Sequence, residues 1–214
     1  MYKKKSLFIT FEGIEGSGKS YLSKKLFKKL LKLGLPTIYT REPGGTKSAE
    51  KIRNLILQDY FDSKQKEKFH KYTDTLLYLA ARNEHFCNKI SPALQKKKII
   101  ICDRFIDSTF AYQVFGKKVN PKFIEFIHKY ILGNNKPDIT FVLKANISQA
   151  MKRLNKRKVK NRYDKFSKNF YIKVQKAFLK IASLNKKRCL VVDNSKNNPE
   201  AEEIIFKNVE RLLK

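Results

Sequence analysis

The stretch Gly13-Ile14-Glu15-Gly16-Ser17-Gly18-Lys19-Ser20 decides the fold of this chain. Residues 7–11, just before it, are mostly β-branched or aromatic and predict a buried strand. After it, apolar side chains recur at helical spacing and predict a helix; they are Leu22, Leu26, Leu30 and Leu33. A glycine-rich loop between a strand and a helix is the setting that the phosphate-binding loop motif requires. The stretch therefore predicts an α/β nucleotide-binding fold.

The residue types of this loop fit a nucleoside triphosphate. Its glycines let backbone N–H groups turn inward around a phosphate, and the positive end of the following helix adds to that field. Lys19 can reach the β- and γ-phosphates, and the hydroxyl of Ser20 can ligate Mg²⁺. We therefore predict a nucleoside triphosphate site with bound Mg²⁺.

Composition limits the partners of this protein. The chain has 214 residues and a formal net charge of +29, from 48 Lys and Arg against 19 Asp and Glu. The lysines are spread over every predicted helix and no recognition motif accompanies them, so we expect weak adhesion to polyanions and no specific nucleic-acid partner.

The sequence also predicts the compartment. No apolar run reaches the roughly 18 residues that a membrane helix needs. A strand and the glycine loop follow the first residues at once, so we expect no cleavable signal, no membrane association and a cytoplasmic location. Cys87, Cys102 and Cys189 lack metal-type spacing and predict reduced thiols.

Short apolar runs alternate with helical patterns along the chain. The further predicted strands are 37–40, 99–102, 139–143 and 189–193, and the further predicted helices are 49–59, 72–95, one from 147, 170–184 and a C-terminal one. The apolar side of helix 72–95 is predicted to comprise Leu76, Leu77, Leu79, Ala80 and Phe86. This alternation predicts one domain over residues 1–214, with a five-stranded parallel sheet between two helical layers, as in P-loop NTP hydrolases.

Polar residues follow two of the predicted strands. Arg41 lies at the end of the second strand, and Asp103 and Arg104 follow the buried third strand. The carboxyl ends of parallel strands meet at the edge where α/β proteins bind ligands. Asp103 thus stands where a Mg²⁺-associated carboxylate belongs, and Arg104 can hold a phosphate with two hydrogen bonds.

The tetrapeptide Asn135-Lys136-Pro137-Asp138 matches the guanine-specifying motif of GTPases. That motif must follow a strand, whereas here it precedes strand 139–143, so it is predicted to lie at the opposite edge of the sheet. We therefore do not expect a GTPase.

A dense cationic run occupies residues 153–165 and includes Arg153, Arg157 and Arg162. One interpretation is a solvated basic helix. The other is a flap that closes over the triphosphate, excludes water and supplies an arginine to the transferred phosphoryl group.

Taken together, several spaced motifs resemble bacterial thymidylate kinases over nearly the whole chain. They are Phe11-Glu12-Gly13 running into the loop, the block from Arg41 to Thr46, Ala80-Ala81-Arg82, Asp103-Arg104, Ser108 to Gln113, and Pro137-Asp138. The resemblance implies transfer of the γ-phosphoryl of ATP to dTMP, which gives dTDP on the route to dTTP. It also implies Mg²⁺ as cofactor and a homodimer.

The resemblance further implies roles for individual residues. Residues implied to bind dTMP are Glu12, at the sugar 3′-hydroxyl, Arg41, Pro43, Tyr78, Arg82, Arg104, Thr109, Tyr112 and Gln113. Residues implied to bind ATP are Gly13, Ile14, Glu15, Gly16, Ser17, Gly18, Lys19, Ser20 and Arg153. Ser20 and Asp103 are the implied metal ligands. Residues implied to act in catalysis are Lys19, Arg41, Asp103, Arg104, Arg157 and Arg162.

Some positions depart from the family pattern. Glu15 stands where some members carry Arg, which resembles the bacterial subtype whose catalytic arginine comes from the flap. Tyr78 replaces the Phe that stacks on thymine, and Lys158 replaces a flap glycine. The alternatives are a kinase of another nucleotide or deoxynucleoside on the same fold, and a non-catalytic nucleotide-binding protein that binds nucleic acid through its charge.

Overall fold

The computed structural model describes residues 6–57, 68–156, 166–196 and 199–214. Its centre is a five-stranded sheet in the order β2-β3-β1-β4-β5, in which every pairing is parallel. The strands are β1 (Leu7–Glu12), β2 (Thr37–Arg41), β3 (Ile99–Asp103), β4 (Ile139–Lys144) and β5 (Cys189–Asp193). The five-stranded parallel sheet predicted from the sequence is confirmed.

Helices connect and cover the strands. They are α1 (Lys19–Lys32), α2 (Lys47–Leu57), α3 (Lys71–His85), α4 (Ser91–Gln95), α5 (Ile106–Thr109), α6 (Pro121–Leu132), α7 (Ile147–Asn155), α8 (Lys168–Leu184) and α9 (Glu200–Leu213). Two π-helical segments, Phe86–Ile90 and Phe110–Gly116, follow α3 and α5 directly.

Apolar side chains bury both faces of the central strands. Every residue of β1 and β3 is buried, as expected of parallel strands covered on both sides. On one face Leu22 and Leu26 of α1 pack with α9 against the sheet, and on the other face Phe8 and Phe105 pack edge to face. These two layers fix the strand ends that carry the polar residues.

The strand register aligns those ends. Phe11 of β1 and Arg41 of β2 both lie opposite Asp103 of β3. Two backbone hydrogen bonds link the ends of neighbouring strands just beyond this point. The N–H of Glu42 donates to the carbonyl of Asp103 at 3.0 Å, and the N–H of Arg104 donates to the carbonyl of Phe11 at 2.9 Å. The predicted convergence of these residues at one sheet edge is thus confirmed.

The GTPase-like tetrapeptide lies at the opposite edge. A carboxylate oxygen of Asp138 accepts a hydrogen bond of 2.7 Å from the N–H of Phe8, near the start of β1. The side chain therefore holds the amino-terminal end of the sheet, as its position before β4 predicts.

Two details of the predicted helices are wrong. Helix α1 ends at Lys32, so Leu33 falls outside its apolar face and is 43% exposed. On α3, Leu76 and Ala80 point to the surface, while Asp74, Thr75 and Arg82 are buried. Each of these buried groups has a partner or a cavity to face, since Asp74 pairs with Lys117, Thr75 donates to the carbonyl of Lys71 and Arg82 lines a cavity, and apolar periodicity cannot reveal such burial.

None of the helices in the described ranges is both long and apolar enough to span a membrane. Cys87, Cys102 and Cys189 are free thiols, the first exposed and the other two buried. The prediction of reduced thiols in the two strands therefore holds in this structure.

Candidate active site

The loop between β1 and α1 turns through left-handed backbone. Gly13, Gly16 and Gly18 have φ values of 135°, 73° and 94°. A Cβ at Gly16 would lie 2.5 Å from the carbonyl oxygen of Ala150, so a side chain is excluded there. These glycines let the loop wrap at the N-terminus of α1, where backbone N–H groups can face an anion.

Two cations that line the cavity hold the first half of this loop. Lys19 Nζ donates to the carbonyl of Ile14 at 2.7 Å, and Arg104 Nη1 donates to the carbonyl of Gly13 at 3.0 Å. These two hydrogen bonds fix the backbone of the loop in its turned conformation.

The second half of the loop is held by two further side chains. Arg153 of α7 donates to the carbonyl of Gly16, and the Asn194 amide donates to the carbonyl of Ser17, both at 2.8 Å. Asn194 follows β5 directly and is buried. Sequence reasoning missed Asn194, since a polar residue after a strand looks like an ordinary loop residue.

Ser20 and Asp103 meet at the mouth of the loop, where the Ser20 hydroxyl donates to Asp103 Oδ2. A hydroxyl and a carboxylate are hard oxygen donors of the kind that Mg²⁺ takes. No group of three or more His, Cys, Asp or Glu that could hold a metal occurs in the described part of the chain. This donor set fits Mg²⁺ held jointly by protein and phosphate oxygens, the usual arrangement for that ion.

An open cavity, whose volume of about 910 Å³ includes space continuous with solvent, runs from this loop along the carboxyl edge of the sheet. The lining residues are Glu15, Lys19, Ser20, Arg41, Glu42, Pro43, Arg53, Leu57, Tyr78, Arg82, Asp103, Arg104, Phe105, Ser108, Thr109, Tyr112 and Gln113. Most residues implied to bind dTMP are therefore brought together in one cavity.

The end of the cavity near the loop, which we call the phosphate end, is rich in cations. Burial, together with the charge of Arg104, lowers the pKa of Lys19 to about 8, although Asp103 and Glu15 partly offset the effect. Arg41 pairs with Glu50 at 3.2 Å and is half exposed, and Arg53 Nη1 donates to the carbonyl of Pro43. A polyanion entering here can replace these contacts with its own oxygens.

Arg53 was not among the predicted site residues. It projects from α2, and burial together with the charge of Arg41 lowers its pKa. The available signal was its place on the helix that follows the block from Arg41 to Thr46. Lysines and arginines occur on most helices of this chain, so the charge of Arg53 alone does not single it out.

Glu15 links the loop to the third strand. Its carboxylate accepts from Arg104 Nη2 at 2.9 Å and from the hydroxyl of Tyr112. Burial would raise the pKa of Glu15, but the charges of Arg104 and Lys19 outweigh it and lower that pKa. An ionised carboxylate therefore lines the cavity beside Tyr112 and can accept from a ligand hydroxyl.

Glu12 lies behind the cavity wall. It is fully buried, and its carboxylate accepts from the N–H of Phe105 at 2.7 Å and from the hydroxyl of Ser108 at 2.6 Å. Burial and the nearby charge of Asp107 raise the pKa of Glu12 to about 8. The implied contact of Glu12 with a sugar hydroxyl stays a prediction, since in this structure Glu12 holds the segment from Phe105 to Ser108, and Glu15 is a carboxylate in the lining.

The other end of the cavity, which we call the base end, is built around Arg82 of α3. Glu42 lies 2.8 Å from Arg82 Nε and 2.7 Å from Nη2, and the latter nitrogen also donates to the carbonyl of Phe105. His85 donates to the other oxygen of Glu42 at 3.0 Å and contacts Thr40 at 2.6 Å. The guanidinium is thereby fixed in a buried network.

The remaining nitrogen of Arg82, Nη1, has two partners at 2.7 Å, the hydroxyl of Thr109 and Nε2 of His128. Thr109 lines the cavity and ends α5. A π-helical segment begins at the next residue and carries Tyr112 and Gln113. Such segments widen the helical turn and are frequent at functional sites.

Gln113 has a buried side-chain amide whose nitrogen is unpaired. It is 1% exposed and lines the cavity, and its Nε2 is the one buried side-chain nitrogen or oxygen without a hydrogen-bond partner in the described ranges. An unpaired buried amide costs about 1–3 kcal/mol, so an acceptor on a bound ligand is the physical reason to keep it.

The predicted flap is described only in part. Arg153 lies in α7 and contacts the loop, whereas Arg157 and Arg162 lie outside the described residues. Their implied catalytic role stays a prediction.

Comparisons with known proteins show which family this chain is similar to. A family model described as Thymidylate kinase matches residues 11–205. A thymidylate kinase of Wolbachia pipientis wMel is 42% identical over 206 residues, 94% of this chain and 99% of that protein. One from Ehrlichia ruminantium, strain Gardel, is 41% identical over 211 residues, 96% and 98% of the two chains. The crystal structure of thymidylate kinase from Ehrlichia chaffeensis matches with a TM-score of 0.75 at 33% identity, covering 96% of this chain and 99% of that one.

Proposed function

The chain belongs to the thymidylate kinase family, and from that premise we propose that it transfers the γ-phosphoryl group of ATP to dTMP and releases dTDP and ADP. The observation that carries the proposal is the single cavity that joins the phosphate-binding loop to a buried polar pocket. A donor triphosphate and an acceptor base can thereby be held with their phosphates close together. We propose that residues 1–214 form one nucleoside monophosphate kinase domain.

The phosphate end supplies the groups that phosphoryl transfer needs. The attacking oxygen, the phosphorus and the leaving oxygen must lie in line, while cations neutralise charge on the transferred group. In this proposal Lys19 binds the donor phosphates, and Arg41, Arg53 and Arg104, which line the same cavity, bind the acceptor phosphate. Each can form charge-assisted hydrogen bonds with phosphate oxygens.

Mg²⁺ would be held by Ser20 and Asp103 together with phosphate oxygens of ATP. When bound, the ion supplies positive charge to those oxygens. The protein's own contribution is to hold the hydroxyl and the carboxylate side by side at the mouth of the loop.

The base end supplies donors suited to a pyrimidine with carbonyl groups. Gln113 offers an unpaired N–H, and Arg82 can turn one N–H from Thr109 to a ligand carbonyl. Tyr78 lines the same space and offers an aromatic face for stacking. Tyr112, held by Glu15 and Arg104, is proposed to exclude a ribose 2′-hydroxyl and so to favour a deoxynucleotide.

We also propose a homodimer. Helices α3 and α6 contact each other and expose large apolar side chains, since Leu76 is 48%, Phe126 58% and Tyr130 75% exposed. A second copy of the chain that covers these residues would remove this apolar surface from water. Sedimentation velocity tests the proposal, and a monomer at micromolar concentration would contradict it.

We propose that Arg157 or Arg162, in the predicted flap, supplies the arginine that stabilises the transferred phosphoryl group. Parallel kcat measurements on the two alanine variants would test this role.

We also propose that the enzyme is cytoplasmic, consistent with its free thiols. We propose that it has no specific nucleic-acid partner.

Product analysis tests the proposed function. Incubation with Mg-ATP and dTMP should give equal amounts of ADP and dTDP, resolved by ³¹P NMR or ion-exchange chromatography. AMP serves as the control acceptor, because its purine is larger and its sugar carries a 2′-hydroxyl. Turnover of AMP or another nucleotide in preference to dTMP would keep the fold and overturn the assignment of the acceptor. ADP formation without any acceptor would indicate a hydrolase.

A further inference from the structure

His128 lies directly behind the base end of the cavity. Its Nε2 is 2.7 Å from Nη1 of Arg82, and its ring centroid is 6.0 Å from that of Phe110. Of the described residues, Arg82 and Thr109 belong to the cavity lining, whereas His128 does not. The histidine therefore reaches the pocket only through the arginine.

The direction of this hydrogen bond follows from chemistry. A guanidinium is a donor only, so the imidazole nitrogen must accept and the ring must be neutral. Burial and the charge of Arg82 lower the pKa of His128 to about 2, which keeps the ring in the accepting form. A lysine or arginine at this position would offer no hydrogen-bond acceptor, and an ionised glutamate or aspartate would not be neutral.

The two partners of Nη1 differ in what they can do. Thr109 faces the cavity, so a carbonyl of an entering base can take its place on Nη1. His128 has no face on the cavity and stays in contact when Thr109 gives way. Glu42 holds the opposite side of the guanidinium, so His128 is the contact that fixes the end presented to the ligand.

We propose that His128 is a positioning residue that holds Arg82 ready to donate to the acceptor base, which rests on the proposed function. Without His128, the N–H of Nη1 on the side away from the cavity loses its acceptor, and this end of the guanidinium is no longer fixed in the orientation in which it donates to a base. Acceptor binding should therefore weaken while the chemistry is retained, because Arg82 and Lys19 draw their hydrogen-bond partners from different described residues.

The test compares three substitutions at this position by steady-state kinetics. His128→Leu removes the acceptor, His128→Phe keeps a ring against Phe110 but has no nitrogen, and His128→Gln keeps an acceptor oxygen. We expect the first two to raise KM for dTMP about tenfold, the loss of one charge-assisted hydrogen bond. KM for ATP and kcat should stay within about twofold of wild type. His128→Gln should bring KM for dTMP most of the way back to the wild-type value.

The matched control is Lys129→Ala, an exposed neighbour on α6, which should leave all three constants unchanged. Thermal unfolding of each variant shows that the fold is kept. The proposal is overturned if His128→Leu and His128→Phe leave KM for dTMP unchanged, or if they raise KM for dTMP and KM for ATP equally. It is also overturned if His128→Gln raises KM for dTMP as much as these two variants do.

The wild-type acceptor profile separates this inference from the proposed function. If the wild type prefers another monophosphate, the proposed substrate is wrong, and the His128 proposal is then judged by the KM for that acceptor. A wild type without any acceptor-dependent turnover would overturn both.

Discussion

The two ends of the cavity differ in how they hold most of their cations. At the base end, Arg82 is bound to Glu42, Thr109, His128 and Phe105, and it is almost completely buried. At the phosphate end, Lys19 and Arg53 donate to backbone carbonyls and Arg41 pairs with a partly exposed carboxylate. Arg104 is the exception at that end, since it is held by Glu15, Ser108 and the carbonyl of Gly13. The arginine of the base end is thus fixed before a base arrives, whereas Lys19, Arg41 and Arg53 have contacts that a phosphate can replace.

This difference has a physical reason. Discrimination between bases requires donors whose direction cannot adapt to the wrong partner. At the phosphate end, the oxygens of an entering phosphate are charged and form stronger hydrogen bonds than the neutral carbonyls that they replace, so exchangeable partners suit that end.

The largest effect should come from Lys19→Ala at the phosphate end. We expect kcat to fall by at least about 10³-fold, because a cation aimed at the transferred phosphates is lost. KM for dTMP should change little. Lys28→Ala, an exposed lysine of the same helix, is the matched control. A Lys19→Ala enzyme with kcat near wild type would contradict the proposed role of the loop in binding the donor phosphates.

Arg53→Ala should act on the acceptor phosphate alone. Loss of one charge-assisted hydrogen bond, about 1.5–3 kcal/mol, should weaken dTMP binding about 10- to 100-fold. Thymidine lacks the phosphate, so calorimetry should give the same thymidine affinity for variant and wild type. Arg211→Ala, an exposed arginine on α9, controls for net charge. A loss of thymidine affinity as large as that of dTMP would place Arg53 at the base end.

Gln113→Leu should act on the base instead. Removing the unpaired donor should raise KM for dTMP about tenfold and weaken thymidine binding equally, since the lost contact is with the base. The melting temperature of the free protein should not fall, because the variant also removes a buried polar atom that lacks a partner. A stability loss with unchanged thymidine affinity would show that Gln113 is structural.

The smallest effect concerns stability against pH. The pKa of His128 is lowered from 6.5 to about 2 in the folded protein, first by burial and then by the charge of Arg82. Below pH 6.5 the unfolded chain therefore binds a proton that the folded protein does not, and stability falls. At pH 5.5 this site should reduce the free energy of unfolding by about 1.4 kcal/mol relative to pH 8.

Urea unfolding of wild type and His128→Gln at the two pH values measures that contribution. The glutamine variant does not titrate, so its stability should fall less between pH 8 and pH 5.5. Equal slopes in the two proteins would mean that His128 is protonated in the folded state and cannot accept from Arg82.

The fold and much of the phosphate end could be predicted from sequence. Local rules suffice there, since the glycine loop, the apolar run of β3 and the residues at strand ends are contiguous signals. The parallel register then brings Arg41 and Asp103 together without further information.

Contacts that join distant segments were harder to predict at both ends. The bond between Arg82 and His128 spans 46 residues, and the bond from Asn194 to the loop spans 177. Neither His128 nor Asn194 belongs to a motif. Leu76 and Ala80 were expected inside because they are apolar, yet they are exposed, whereas helix α3 buries Asp74, Thr75 and Arg82. Polar burial of this kind follows from the tertiary structure and not from periodicity.

The relative kcat/KM for dTMP and dCMP tests the division between the two ends most directly. Thymine carries a carbonyl where cytosine carries an amino group, and it also carries a 5-methyl group, while the two phosphates and sugars are the same. A parallel measurement with dUMP, which has the carbonyl but no methyl group, separates the two differences. Since Arg82 and Gln113 offer donors, dTMP should be preferred over dCMP by at least about 100-fold, and the preference should arise mainly from contacts at the base end. Turnover of dCMP within about threefold of dTMP would contradict a base end built to select carbonyl acceptors.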